Sequence, residues 1–506
     1  MAFYSFVVVY HLIVLLIMHS NCSNSKRNVL IIIADDAGFE MGTYRNHIVQ
    51  TPNLDALAKK SLIFNNAYTS VSSCSPSRSA VLTGFPAHQN GMYGLHNGVH
   101  NFNSLPQTVS LPNVLSQHGI RTGIIGKKHV GPKDNYHFDF EETEENNSIM
   151  QVGRNITRIK LLVREFLAQN TSQPFFLYVA FHDPHRCGHT APQYGNFCER
   201  FGTGEPNMGY IPDWSPIIYE PDQVEVPYYV QDTPAAREDI AAQYTTISRL
   251  DQGVGLVLKE LADARLDDST LIIYTSDNAI PFPAGRTNLY DSGMAVPMLV
   301  SSPEHTERRN QVSYNLVSLL DLTPTVLDWF HILYPRSYPV FTGQSLLPIL
   351  IQERETDNEA VFASHSLHEV TMYYPMRAVR THNYKLIHNL NYLMPFPIDQ
   401  DFYLSPSFQD LLNRTQSGES LPWYRSLKEY YYRPQWELFN IKADPEEVEN
   451  LAYNATFKNV VERLRGRLDS WRQDTQDPWL CAPSAVLEDM GDYKKHPHCC
   501  PLYNKI

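Results

Sequence analysis

Three short polar clusters in this 506-residue chain each follow a run of apolar, largely β-branched residues. Asp35-Asp36 follow Asn28 to Ala34, His182, Asp183 and His185 follow Phe175 to Phe181, and Ser276-Asp277-Asn278 follow Leu271 to Thr275. Two adjacent carboxylates joined by a third carboxylate and an amide oxygen form a hard-oxygen donor set, suited to Ca2+ or Mg2+. Such a set binds soft metals poorly, and no Cys/His spacing in the chain resembles a zinc site. Taken alone, each pair reads equally well as a helix cap or a turn. Cys74 adds a further element. It has no neighbouring cysteine in sequence, and a lone cysteine is ordinarily a buried, inert thiol.

The surroundings of Cys74 change that reading. Cys74-Ser75-Pro76-Ser77-Arg78-Ser79-Ala80-Val81-Leu82-Thr83-Gly84 fits the pattern C-x-P-S-R-x-x-x-L-T-G at every fixed position. It resembles the modification motif of the type I sulfatases. In that family the cysteine is oxidised to formylglycine, whose hydrated aldehyde is the nucleophile and whose second hydroxyl lets sulfate be expelled. The segments around Asp35-Asp36, Cys74 to Gly84, Gly126 to His129, His182 to His185 and Asp277-Asn278 also fall in sulfatase order. The resemblance implies that Asp35, Asp36, Asp277 and Asn278, with residue 74, hold one divalent cation, Ca2+ in the family. It implies that Arg78 and Lys127 supply fixed positive charge and that His129 hydrogen-bonds the second hydroxyl. His185 is then the expected proton donor, with a pKa near about 6–7, and Arg286 an added clamp on the sulfonate. His182 and His189 are expected to be structural, Lys128 solvated, and His368 and Glu369 close to sugar hydroxyls. Many relatives carry glycine where Ala279 stands, so a strained backbone is expected there if that position needs positive φ.

A narrower resemblance points to the lysosomal members that remove the N-sulfate from terminal N-sulfoglucosamine of heparan sulfate. It rests on Ser70 to Arg78, Gly123 to Gly131, Ala180 to Gly188, His368 to Met372 and Met394 to Asp401. It implies a heparan sulfate-derived oligosaccharide as substrate, a formylglycine-generating enzyme as partner during biosynthesis, and a homodimer.

Elements must bring these residues together, and the pattern supplies them. Asn28–Ala34 is a continuous apolar run, as in a parallel strand buried on both faces. Further strands are expected at 122–125, 175–181, 270–275 and 297–301. Helices are expected from Pro52, with Thr51 as cap, at 156–168 and at 235–264. Strands alternating with helices predict an α/β fold with a mostly parallel central sheet, whose ligands lie beyond the carboxyl ends of the strands. From residue 376 the texture changes to short strands at 376–381, 384–388 and 436–440 and a helix at 456–472. This predicts a smaller C-terminal α+β domain (376–506) with an antiparallel sheet, packed on a catalytic domain (26–375). The stretch 392–433 reads as an ordered, irregular excursion.

Residues 1–25 read as a signal peptide: an apolar run from Phe3 to Met18 followed by small polar residues, too short for a membrane span. Acceptor tripeptides at Asn146, Asn155, Asn170, Asn413 and Asn454 agree with a secretory route ending in the lysosome. Cys187 and Cys198 flank a loop suited to a disulfide, whereas Cys481 has two possible partners, Cys499 and Cys500. Lys+Arg 41 against Asp+Glu 54 gives a net charge of −13, and no basic run is present, which disfavours nucleic acid as a partner. The same charge favours an exo-acting enzyme over one gripping a long polyanion. Three other readings remain: an O-sulfatase on another sugar, a silent glycan-binding protein with an intact thiol, and a phosphatase, which would carry Ser or Thr at position 74.

Overall fold

The computed structural model describes residues 26–169, 172–187, 192–334, 339–355 and 359–502. The expected signal segment, Asn170 and His189 lie outside these residues. The first run of the chain becomes strand β1 (Asn28–Ala34). It is followed by β2 (Leu62–Tyr68), β3 (Arg121–Gly126), β4 (Phe140–Thr143), β5 (Phe175–Ala180), β6 (Thr270–Ser276), β7 (Ala295–Ser301), β8 (Gln311–Ser313) and β9 (Val317–Ser318). These form one sheet in the order β4-β3-β5-β1-β6-β7-β2-β8, with β9 also on β2. β1 runs parallel to both β5 and β6, and β3 parallel to β4 and β5. Only β7 is antiparallel to its neighbours β6 and β2. The mostly parallel sheet is therefore as expected.

Side chains alternate across a strand, and the two faces of β1 enter different cores. Val29, Ile31 and Ile33 pack with Val81, Leu82, Leu322 and Trp329. Leu30, Ile32 and Ala34 pack with helix α1 (Ile156–Ala168) through Ile159 and Phe166, and with helix α2 (Pro234–Asp263) through Val254 and Leu261. Both faces are covered, so every β1 residue is buried and the polar ends of the strands collect at one edge. A helix does begin at Pro52, but the Thr51 hydroxyl does not cap it; it accepts from the Gly42 N–H at 3.0 Å instead.

The second unit is an antiparallel sheet, β10 (Val361–His365), β11 (Met376–Arg380), β12 (Tyr384–Asn389) and β13 (Trp436–Asn440). Its strand β10 precedes residue 376, so the sheet draws one strand from the first of the two expected units. One face packs Met376, Ala378 and Ile387 on Tyr68, Leu289 and Met294 of the main unit. The other packs Val379 and Leu386 on helix α3 (Lys458–Asp474) through Leu464, Leu468 and Trp471. The excursion 392–433 is ordered and about half helical, with Pro406–Ser417 its longest helix. Disulfides join Cys187 to Cys198 and Cys481 to Cys499, leaving Cys500 exposed.

Candidate active site

Four adjacent strands deliver the site. Ile33 pairs with Ala180 and Ala34 with Ser276, so the chain leaves β1, β5 and β6 side by side as Asp35-Asp36, Phe181-His182-Asp183 and Asp277-Asn278. β3 ends level with Ala180 at Gly126, where φ is +97° and a Cβ would stand 1.9 Å from the Ala180 carbonyl oxygen. Only glycine fits there. The turn sends Lys127 across the cluster, its N–H donating to that same carbonyl at 2.9 Å.

Cys74 opens a ten-residue helix, Cys74–Thr83, closed by Gly84 at φ +73°. All ten residues are buried, polar ones included. The helix N-terminus carries partial positive charge, and Cys74 Sγ lies 3.9 Å from Asp36 Oδ1. One turn on, Arg78 donates to Asp277 Oδ2 at 2.9 Å through Nε, to Asp35 Oδ1 at 3.2 Å and to the Lys127 carbonyl at 2.9 Å. Lys127 Nζ donates to Asp35 Oδ2 at 2.5 Å. Arg286 donates to Asp36 Oδ2 and Asp399 Oδ1, both at 2.6 Å, and to His185 Nε2 at 2.9 Å.

Four buried carboxylates, Asp35, Asp36, Asp277 and Asp399, thus meet three buried cations. Burial raises the Asp35 carboxyl, but Lys127, His185 and Arg78 outweigh it and hold it well below the usual range. For Asp36, burial wins over Arg286, and Asp35 and Asp277 add repulsion, so it is pushed up to about 7. Burial likewise lifts Asp277 to about 6 against the pull of Arg78. Burial also pushes the Cys74 thiol well up. Crowded carboxylates of this kind fit a cation. The donor chemistry agrees: Asn278 Nδ2 donates to Asp36 Oδ1 at 2.6 Å, and its Oδ1 is buried with no hydrogen-bond partner. Ligand atoms of Asp35, Asp36, Cys74 and His185 lie within 4.8 Å of one another. Asp277 is more committed than expected, its Oδ1 accepting the Asp36 and Asn278 N–H groups at 3.2 and 2.9 Å. Asp36 itself has φ +59° and His129 φ +54°, left-handed conformations rare for such residues.

Several expectations change in detail. Asp183, just past the end of β5, is structural: Arg154 and Arg249 take both its oxygens. Lys128 is buried, not solvated, and pairs with Glu141 at 3.0 Å. His368 bonds the Ser73 hydroxyl at 2.8 Å, and Glu369 accepts the Gln400 N–H at 2.8 Å. Both therefore brace the pocket wall. His182 bonds Glu144 at 2.8 Å. Ala279 does not have positive φ, so alanine costs no strain there. His185 bonds the Arg186 carbonyl through Nδ1 at 2.7 Å, leaving Nε2 toward the cluster. Its pKa is not near 6–7: burial, with Lys127 and Arg286 adding to it and Asp35 opposing, holds it well below. His129 is likewise lowered by burial, Lys127 and Arg78, and its buried Nδ1 has no partner. Asp399 and Asp401 were missed. They lie over a hundred residues from Arg286, within a segment singled out only by resemblance.

Comparison with known proteins agrees with this geometry. The sulfatase family profile matches residues 27–332, and a profile described as N-sulphoglucosamine sulphohydrolase, C-terminal, matches 285–398. Human N-sulphoglucosamine sulphohydrolase is 60% identical over 97% of this chain and 98% of its own length. Human N-acetylgalactosamine-6-sulfatase is 27% identical over 65% of this chain and 67% of its own. Among solved structures, a protein in complex with its substrate D-glucosamine-2-N,6-O-disulfate superposes with TM-score 0.65 at 18% identity, covering 89% of this chain and 98% of that one. A phosphonate monoester hydrolase of Agrobacterium radiobacter gives 0.61 at 17%, covering 94% and 100%. These two likenesses concern the fold. With the family profile spanning more than half its length and a relative this similar along all of it, the chain belongs to the sulfatase family and is a hydrolase of that family.

Proposed function

We propose that this chain removes the N-linked sulfate from terminal N-sulfoglucosamine of heparan sulfate-derived oligosaccharides, working from the chain end in the lysosome. The observation that carries the chemistry is Cys74 at the head of a buried helix, 3.9 Å from Asp36 and among three carboxylates and an orphaned amide oxygen. The substrate reading is supported by the 60% identity to human N-sulphoglucosamine sulphohydrolase.

In this reading Asp35, Asp36, Asp277 and Asn278 hold one Ca2+. When bound, the cation polarises a sulfonate oxygen, while formylglycine at position 74 supplies a hydroxyl nucleophile. The residues of the chain do the rest. The cations Arg78, Lys127 and Arg286 are already matched by Asp35, Asp36, Asp277 and Asp399, so a divalent ion would add the positive charge that an anionic sulfonate requires. Arg78 and Lys127 are held rigidly by Asp35 and Asp277, and so stabilise charge without reorganising. His129, whose Nδ1 is unpartnered, is available to a hydroxyl at residue 74. His185 presents Nε2 to the departing nitrogen. Burial, Lys127 and Arg286 hold its proton affinity low, and an incoming anionic sulfonate raises it, as the chemistry requires. The burial of the cluster keeps water from competing.

A formylglycine-generating enzyme during biosynthesis and a homodimer belong to the same proposal. Asn146, Asn413 and Asn454 are exposed and two disulfides are present, which suits an oxidising secretory route. Among the described residues no helix is long and apolar enough to cross a membrane. The test is turnover of oligosaccharides ending in N-sulfoglucosamine, against the same chains carrying only O-sulfate or only internal N-sulfate. Release of sulfate from the first alone is expected. Equal release from terminal O-sulfates contradicts the assignment.

A further inference from the structure

The mechanism leaves one carboxylate at the pocket unused. Asp399 is buried, its Oδ1 accepting from Arg286 at 2.6 Å and from the Phe402 N–H at 3.0 Å. Asp401, two residues on, is different. Its Oδ2 lies 3.4 Å from Arg286 Nη2 and 3.7 Å from His185 Nε2, and its side chain keeps 18% of its surface open. Gln400 between them is pinned by Glu369, which fixes this rim against the wall of the pocket. The carboxylate therefore faces the atom that presents a proton to the leaving group, and its charge is only partly spent.

A carboxylate there is a poor partner for a sulfonate, which it repels. It is a good partner for what remains after cleavage. His185 passes one proton to the nitrogen, which becomes cationic while still bonded to sulfur; when the N–S bond then breaks, nitrogen keeps the electron pair and leaves as a neutral amine. In acid the amine takes a second proton from solvent and becomes an ammonium ion. An O-sulfate ester leaves instead as a neutral hydroxyl. We infer that Asp401 is a specificity-determining residue, contacting the nitrogen of the sugar and favouring an N-linked over an O-linked leaving group. The carboxylate favours the cationic nitrogen that exists between proton transfer from His185 and N–S cleavage, a charge formed on the way to the products, which is the condition for accelerating a step and not merely tightening binding. This inference rests on the proposed reaction and deepens it.

The test uses the purified, converted enzyme and two competitors at mildly acidic pH: glucosamine, which is cationic, and N-acetylglucosamine, which is neutral. Wild type should be inhibited more tightly by glucosamine. Asp401→Asn should weaken glucosamine at least about tenfold, leave N-acetylglucosamine within about threefold, and lower kcat/KM for N-sulfoglucosamine at least about tenfold. Asp401→Glu, which keeps the charge, should restore part of the preference for glucosamine. If Asp401→Asn shifts both inhibitors equally, or neither, the residue merely supports Arg286 or the loop and the inference is overturned. A wild-type enzyme that does not turn over N-sulfoglucosamine overturns the proposed function itself, before any variant is made.

Discussion

Two buried clusters of charge in this molecule are built from the same residue types and behave oppositely. Where α3 meets the second sheet, Asp477 accepts from Arg377 through Nε and Nη2 at 2.8 Å each, from Arg472 at 2.9 Å and from the Trp479 N–H at 3.0 Å. One carboxylate faces two guanidinium groups; burial alone would raise its pKa, but Arg377 and Arg472 hold it far below the usual range. At the ends of β1 and β6, three carboxylates crowd together, two are pushed up to about 6 and 7, and an amide oxygen is left without a donor. The first cluster is closed: its acceptors are spent on the chain. The second keeps an unpartnered amide oxygen, Asn278 Oδ1, beside crowded carboxylates. Burial of charge therefore does not mark a functional site by itself; unmet capacity does.

The comparison can be broken by experiment. The largest effect expected is on the open cluster. Asp277→Asn should lower sulfatase activity at least about a thousandfold with loss of bound metal, while thermal unfolding stays near wild type or rises, since a crowded carboxylate is relieved. An active, metal-free variant removes Asp277 from the ligand set. The closed cluster should respond the other way. Asp477→Asn leaves two buried guanidinium groups facing a neutral amide and should cost about 3–5 kcal/mol of stability, with specific activity of the folded fraction retained. Denaturant unfolding reads this directly, and a change below about 1 kcal/mol denies the cluster its structural role.

The pH dependence has a definite sign at each kind of carboxyl. The Asp477 pKa is lower in the folded state than in the unfolded chain, so its stabilisation is complete above about pH 4 and is lost as pH falls toward the folded value. The stability gap between wild type and Asp477→Asn should stay constant from about pH 5 to 8 and narrow only below about 4. Glu40 is the opposite case. Burial pushes it up to about 7, so it favours the folded state fully below its unfolded value of about 4.3 and this is lost as pH rises toward 7. Glu40→Gln should therefore gain on wild type across that interval, by on the order of 1–3 kcal/mol. Parallel curves for wild type and variant deny the shift. The smallest effect is at Ala279. Because its φ is not positive, Ala279→Gly should only add freedom to the unfolded chain, costing about 0.5–1 kcal/mol with activity intact.

How much of this was legible in the sequence follows from the physics of each part. β1 and α1 lie where the pattern puts them, because a strand buried on both faces is a continuous apolar run and α1 is amphipathic. The Cys74 helix carries no such pattern. It is buried all round while rich in serine, so hydrophobic periodicity has nothing to report, and only the motif marks it. The proposed ligand carboxylates and Asn278 were visible as strand-end polar pairs. Their adjacency was not, since it depends on the sheet order placing β1 between β5 and β6. Asp399 and Asp401 reach the cluster from the long connection between β12 and β13, a contact no local spacing encodes. Cys481 had two possible partners until the pairing of β14 (Ala485–Glu488) with β15 (His498–Pro501) set Cys499 opposite Leu487.

The most direct test is the chemistry of position 74 in protein secreted from cells able to modify it, measured on the same preparation that is assayed. A peptide mass with SH and one hydrogen replaced by a carbonyl oxygen, in protein that releases many sulfates per molecule, is the result predicted here. Sustained desulfation by protein whose residue 74 is wholly an unmodified thiol would contradict the account.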